Sequence, residues 1–415
     1  MKVRLLLIAG TIAVVGLVIF YMRNDRHSAS ITVAVRSGLE ADGIKQLAAT
    51  WGQRRAVEVS VQVLGRDNYE VDVTNDLLSG RPKYDVIFFP STLVAEMVSK
   101  EALAPITGWD PQKDTDMLAY SAYKSRIYGL PCDISSFFLY FRRDLIKHVP
   151  ETWEELIQAA APLSKIHAPG SPTAYGLAFG GKAGEDLFKG FLPILWSYGG
   201  FLEEGASVGV DTDGGIEAAK LLRKMVVSGS VPPDIQSWEV VKIFEELQRG
   251  TVAMSAPQWN ALYPLIKGGT SQYKDAIDIA PIPGVRQPDG TIRRVDFQHT
   301  WVLVQSQHSG VLPLTNEFIL YATGAEGGRL YAQSARGNPA RASILSDTEL
   351  QKSRPEFPLL LEALKTAKAE PSVPYYARMA RTMNDALSSI IAGSKEPAAA
   401  MREAASQLRT LVSQQ

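Results

Sequence analysis

Apolar and polar residues follow two rhythms along this chain. Residues 31–35, ITVAV, form a short run rich in β-branched side chains. Beyond it Ala41, Ile44, Leu47, Ala48 and Trp51 recur at spacings of three and four, which marks one face of a helix. Ser37 and Glu40 have the spacing of a capping box that would start that helix. VEVSVQVL, residues 57–64, alternates apolar with polar and predicts a strand. A helix is expected near Tyr69 to Leu78, then a turn at SGRP. YDVIFFP, residues 84–90, is the continuous apolar run of a buried parallel strand. STLVAEMVSKEAL, residues 91–103, predicts a following helix. Strand and helix thus alternate, which predicts an α/β layer on a parallel sheet.

The middle of the chain is more helical. Thr152 and Glu155 make a second capping-box pair. DLFKGFLPILWSYGG, residues 186–200, reads as an apolar helix closed by Gly199 and Gly200. Ile216, Ala219, Leu222 and Val226 share one face of another helix. IDIAPIPG and TWVLVQS return to strand character, and Met401, Ala405, Leu408 and Val412 lie in helical register near the end. No internal repeat and no low-complexity linker interrupts the chain, so any two domains are expected to be joined through ordered segments.

The first residues change the picture. Lys2 and Arg4 precede Leu5–Met22, a stretch of 18 residues without charge, and small residues follow at Ser28-Ala29-Ser30. This is the pattern of an export signal, with an apolar stretch also long enough to span a bilayer. Residues 1–30 are therefore expected to be a cleaved signal peptide or a retained membrane anchor. No cysteine follows the stretch, which excludes a lipoprotein anchor.

Composition excludes more than it selects. The 415 residues are 46% hydrophobic and 21% charged, ordinary for a folded protein of two or three domains. A net charge of −1 without a Lys/Arg block argues against a nucleic-acid partner. The one cysteine, Cys132, allows no internal disulfide and no cysteine metal cluster. It is expected as a small packed residue rather than a nucleophile, because no base is fixed beside it. GGKAGED lacks the Walker spacing, and neither HExxH nor GxSxG occurs. Glu203 and Glu204 are adjacent, so they point apart and form no glycosidase pair. Tyr375-Tyr376 has the residue type that binds ferric iron, yet it follows Pro374 at a helix start, and no metal or cofactor is expected.

The order of these segments carries a resemblance. ITVAVRSGLEADGIKQLAATW, SGRPKYDVIFFPSTLVAEMVSKEALAPI, IYGLPCDISSFFLYFRRDLI, ETWEELIQAAAPL, GTVAMSAPQWN, QSARGNPARAS and MNDALSSIIAGSKEPAAAMREAASQL follow one another across nearly all of 31–412. Together they resemble the solute-binding proteins of ABC importers in the carbohydrate group related to maltose-binding protein. The resemblance implies an α/β, two-lobed periplasmic-binding-protein fold of the class II type, with a hinge of crossing strands and a solute cleft. It implies one lobe from 31–135 and 299–343 and a second from 136–298 and 344–415. It further implies a monomer outside the cytoplasm or on the outer face of its membrane, which hands a sugar or oligosaccharide to membrane permease subunits. A sensor without a transport role, or a binder of a phosphorylated sugar, a polyamine or iron, are the alternatives.

Candidate ligand-binding residues come from strand ends and from this resemblance. Ser37, Gly38 and Glu40 follow the first strand, where parallel sheets bind ligands, although Ser37 and Glu40 also suit a cap. Ser91 and Thr92 follow YDVIFFP, and one of them suits an N-cap. Tyr69 has a cleft reading and a core reading, while Asp85 and Trp196 are expected to be structural. Asp133 and Ser135 stand where the family crosses between lobes, and Gly181 and Lys182 lie in a loop of the second lobe. Trp259 and Asn260 resemble the family's sugar-stacking aromatic and its hydrogen-bonding neighbour. His299 and Trp301 stand at the later crossing, where many relatives carry glycine. Arg341 is either a strut or a bidentate partner for an anionic ligand.

Overall fold

The computed structural model describes residues 30–335 and 337–414. The apolar stretch 5–22 lies outside them. The strands in chain order begin with β1 (Ser30–Arg36), β2 (Glu58–Leu64), β3 (Val86–Pro90), β4 (Leu103–Ala104), β5 (Ser121–Tyr123), β6 (Arg126–Ser135) and β7 (Phe137–Arg142). They continue with β8 (Tyr175–Ala178), β9 (Val252–Trp259), β10 (Ile277–Pro281), β11 (Val285–Arg286), β12 (Ile292–Arg293), β13 (Phe297–Ser306) and β14 (Lys368–Ala369).

Two sheets organise two lobes. In the first, β1 is parallel to β2 and β3. β3 then pairs antiparallel with β13, and β13 with β6. The parallel part is the part whose sequence is continuously apolar. Ile31, Val33 and Val35 share full burial with Ala34 on the opposite face, because helices cover both sides. The helix Leu39–Arg55 lays Ala41, Ile44, Leu47, Ala48 and Trp51 on this sheet, as their spacing predicts. The second sheet has the order β10-β7-β9-β8 and is antiparallel except between β8 and β9. The simple parallel layer expected from the first third therefore does not extend to the rest of the chain.

The apolar side chains form two separate cores. One draws on Ile31 to Cys132 and Trp301 to Tyr331. The other draws on Phe137 to Phe297 and Ala332 to Leu408. The chain thus passes from one core to the other three times, without a linker. At the first passage β6 runs into β7 with Ser136 alone between them. At the second, β13 carries the chain back from Phe297 to Trp301 in a single strand.

Local signals succeed where nothing distant competes. Thr152 and Glu155 form the predicted capping box. Gly199, at φ 88°, supplies the left-handed step after the helix Glu185–Ser197. Ser37 and Glu40 do not form the expected box: Gly38 is the N-cap, with no side-chain cap. Glu40 pairs instead with Arg36, one turn back, and that ion pair takes the carboxylate away from the helix end. Ser91 and Thr92 do not cap either, because a tight 3-10 turn, Ser91–Leu93, starts directly after Pro90. The helix expected through residue 103 is short, Val94–Ser99, and Leu103–Ala104 turns into strand.

Candidate functional site

The register of four strands brings distant residues to one level. β13 pairs with β6 so that His299 faces Ser135 and Trp301 faces Asp133. β7 pairs with β9 so that Phe137 faces Trp259. Ser136 lies between these pairs, and its backbone N–H donates to Asn260 Oδ1 at 3.0 Å. Trp259, Asn260, His299, Trp301, Asp133 and Ser135, widely spaced in sequence, therefore meet where the lobes join.

An aromatic floor runs through this junction. The Trp259 ring lies 4.2 Å from Phe137 and 5.8 Å from His299, centroid to centroid. His299 lies 5.7 Å from Trp301, nearly perpendicular to it. Trp301 stacks on Phe88 at 5.0 Å, which fixes it to the first lobe. Trp259 is half-buried, and its Nε1–H donates to Asp186 Oδ1 at 3.0 Å. A ring held at its polar edge presents a face that suits the C–H face of a sugar or polyol.

The second lobe adds a buried charged network. Lys189, on the apolar helix Glu185–Ser197, is 5% exposed and pairs closely with Glu185. Its Nζ also lies 3.8 Å from Glu370. His299 Nδ1–H donates to Glu370 Oε2 at 3.1 Å, and Tyr376 donates to the other oxygen of Glu370. Lys189 Nζ lies against the same ring, 3.3 Å from Nδ1 and 3.5 Å from Nε2. Burial, then the ammonium of Lys189, pushes His299 below its ordinary range, so the imidazole is neutral near pH 7. Burial alone would raise Glu185, but Lys189 overcomes it and holds the carboxyl at about 2. Lys189 is itself kept charged against burial by Glu185 and Glu370.

The first lobe supplies the facing wall. Arg36, at the end of β1, lies over Trp301 with 3.9 Å from the guanidinium carbon to the ring centroid and pairs with Glu40. Gly38 has φ 143°, a conformation that favours glycine, and the ends of the Glu40 and Arg66 side chains lie beside it. Arg66 and Glu70 are exposed, yet both feel the charge of Glu185 on the other lobe. Arg66 Nη1 lies beside Gly38, and Glu70 follows Tyr69, whose ring packs beside Trp301, so both stand on the wall that carries Arg36.

Asp133 lies beneath this wall, 6% exposed. It accepts from the Asn338 N–H at 2.8 Å, Tyr331 Oη–H at 3.2 Å and Ser135 Oγ–H at 3.3 Å. Burial, then the charge of Glu40, raises it to about 7.

Other candidates from the sequence lie apart from this cluster or turn away from it. Tyr69 is a core residue: its hydroxyl donates to the Phe88 carbonyl at 2.6 Å and its ring packs beside Trp301. Thr92 is buried, and the turn it shares with Ser91 packs on the helix Tyr376–Ala392. The Ser37 backbone N–H is held by Leu64. Gly181 and Lys182 both donate backbone N–H groups to the Trp238 carbonyl, and the Lys182 ammonium pairs with Glu239 at 2.7 Å. Arg341 is a strut: it grips Asp114 and Asp116 and donates to the Thr323 carbonyl at 2.7 Å. Asp85 is structural as expected, since it accepts from Thr32 N–H and Ser309 Oγ–H. Cys132 packs in the first core, where burial pushes its thiol well above the usual range.

Sequence reasoning misses Arg36, Arg66, Glu70, Glu185, Asp186, Lys189 and Glu370. Glu185 and Lys189 carry a signal, an opposite-charge pair four residues apart on a helix that is otherwise apolar.

Two α/β lobes that exchange the chain through crossing strands, with rings and charged groups from both meeting at the crossing, define a two-lobed solute-binding protein. The family described as bacterial extracellular solute-binding protein matches residues 37–328, and the chain belongs to it. As a member of an extracellular family, it is an exported protein. A binding protein of Brucella abortus (strain 2308) is 23% identical over 431 residues, which cover 96% of this chain and 97% of that relative. A maltose-bound MalE3 of T. maritima has the same fold, with a TM-score of 0.79 at 21% identity over 92% of this chain and 100% of that one. An ABC transporter solute-binding protein from Agrobacterium radiobacter K84, in complex with ribitol, gives 0.78 at 18% identity over 92% and 98%.

Proposed function

We propose that this chain captures a sugar or polyol between its lobes and delivers it to the permease of an ABC importer. It is the solute-binding component of that transporter, and it binds its solute without transforming it. The observation that carries the reading is the Trp259 ring, fixed by Asp186 and set between rings and charged groups of both lobes. Maltose and ribitol in the structural neighbours support the same solute class.

The lobes divide as 31–135 with 299–343 and 136–298 with 344–415. Trp259, His299, Glu40 and Gly38 are the ligand-facing residues among those that the sequence suggests, joined by Arg36, Arg66, Glu70, Glu185 and Asp186, while Trp301, covered by Phe88 and Arg36, backs the wall. The hinge of Ser136 and β13 lets the lobes close over the solute, which gives the permease a shape to read. The protein acts as a monomer. Residues 5–22 either leave with the signal peptide or tether it to the membrane.

A calorimetric and thermal-shift screen over mono-, oligo- and phosphosugars and polyols tests this. Saturable binding with compaction in small-angle scattering is expected. Turnover of any bound sugar, or no binding across the panel, would overturn it.

A further inference from the structure

The charges of the cleft bear on the class of solute, provided that the cleft is the binding site proposed above. Three cations, Arg36, Arg66 and Lys189, share this space with five carboxylates, Glu40, Glu70, Glu185, Asp186 and Glu370, while Lys182, which also acts on Asp186, is paired with Glu239. Two of the cations are already neutralised within their own walls. Arg36 is held by Glu40 and by the ring of Trp301. Lys189 is held by Glu185 and Glu370. Arg66 remains on the first wall, without an ion pair among the described residues.

Two carboxylates, Glu70 of the first lobe and Asp186 of the second, form no ion pair among the described residues. Glu70 is exposed and forms no ion pair among the described residues. Asp186 accepts only from neutral donors, Trp259 Nε1–H at 3.0 Å and Val240 N–H at 2.8 Å. The first of these donors belongs to the half-buried ring, so a carboxylate and a π face lie side by side.

We propose that the cleft selects an amine-bearing sugar or polyol, its ammonium set between the walls of Glu70 and Asp186 against Trp259, and rejects phosphorylated solutes. An ammonium gains from the carboxylates and from the ring face together, in a concave site where the field is focused. Its hydroxyls take the donors of Arg66. A phosphate meets the same carboxylates as repulsion, and like-charge contacts suppress wrong partners.

The test is calorimetry on the exported chain with glucosamine, glucose, N-acetylglucosamine and glucose 6-phosphate, together with glucamine and sorbitol. Each amine is expected to bind at least about tenfold more tightly than its uncharged counterpart, a margin of about 1.4 kcal/mol. The phosphate is expected to bind most weakly, and the amine advantage to narrow between about 0.01 M and about 0.15 M NaCl. Glu70→Gln, at an exposed position, is expected to cut the amine-to-neutral ratio by about threefold or more. If glucose, sorbitol or the phosphate binds as tightly as the amines, amine selection falls while solute capture stands. An unchanged ratio in Glu70→Gln also overturns amine selection. If no compound of any class binds, amine selection and solute capture fall together.

Discussion

The guanidinium carbon of Arg36 lies 3.9 Å from the centroid of the Trp301 ring, and Glu40 clamps the same side chain from one helical turn away. One arginine thus ties the end of β1 to the strand that carries the chain between lobes. Its planar fork stacks and pairs at once, which a lysine ammonium cannot do. Arg36→Lys is expected to cost about 1 kcal/mol of stability. Urea denaturation followed by tryptophan fluorescence measures it, and an unchanged midpoint would count against the stacking.

Trp259 is both wall and support, since it packs on Phe137 as well as facing the junction. Trp259→Ala is expected to weaken solute binding at least about tenfold and to cost about 2 kcal/mol of stability. Trp259→Phe keeps an aromatic face but gives up the donor to Asp186 and part of the indole, so its stability should fall less than that of Trp259→Ala. Calorimetry beside thermal melting separates the two effects.

Lys189 is the cation on which the buried network depends. Lys189→Met leaves Glu370 buried without its counter-charge, and loss of one partner from such a site costs about 3–5 kcal/mol. The same change removes the positive charge that holds His299 down, so the imidazole should titrate at higher pH. Proton NMR of the His299 ring reads that shift, and a fall instead of a rise would contradict the network.

Asp133 supplies a pH dependence with a definite sign. Its folded value of about 7 lies above the usual carboxylate range, and Asp296 is raised to about 6 by its own burial. In this window the folded chain binds more protons than the unfolded one, so stability falls as pH rises. The contribution is complete below about pH 4 and lost by the time pH passes about 7. Asp133→Asn keeps an oxygen for Asn338 and Tyr331 and removes the titration. Its melting temperature should vary less between those limits than the parent's, as differential scanning fluorimetry at stepped pH will show.

What the sequence makes legible is what is local. ITVAV and YDVIFFP announce buried strands, because burial on both faces needs only an apolar run. Thr152 and Glu155 find each other because nothing else claims them. Ser37 and Glu40 have the same spacing, yet Arg36 outbids the helix end for the carboxylate. The site is less legible because its bonds are long. His299 reaches Glu370 across 71 positions, and Trp259 reaches Asp186 across 73. His299 is visible as an unusual residue at a crossing, and Trp259 as an aromatic at the position where the family stacks sugars. Lys189 is hidden inside an apolar helix that looks like core, and Arg66 and Glu70 lie in a segment whose polarity resembles any surface.

The ion pairs of the cleft have a mechanical consequence. Arg36 closes its circuit with Glu40 inside one lobe, and Lys189 closes its own with Glu185 and Glu370 inside the other. Neither circuit is interrupted when the jaws part, so the empty protein swings on its strands without stripping a charge of its mate. Each paired cation therefore keeps its own carboxylate whatever the angle between the lobes.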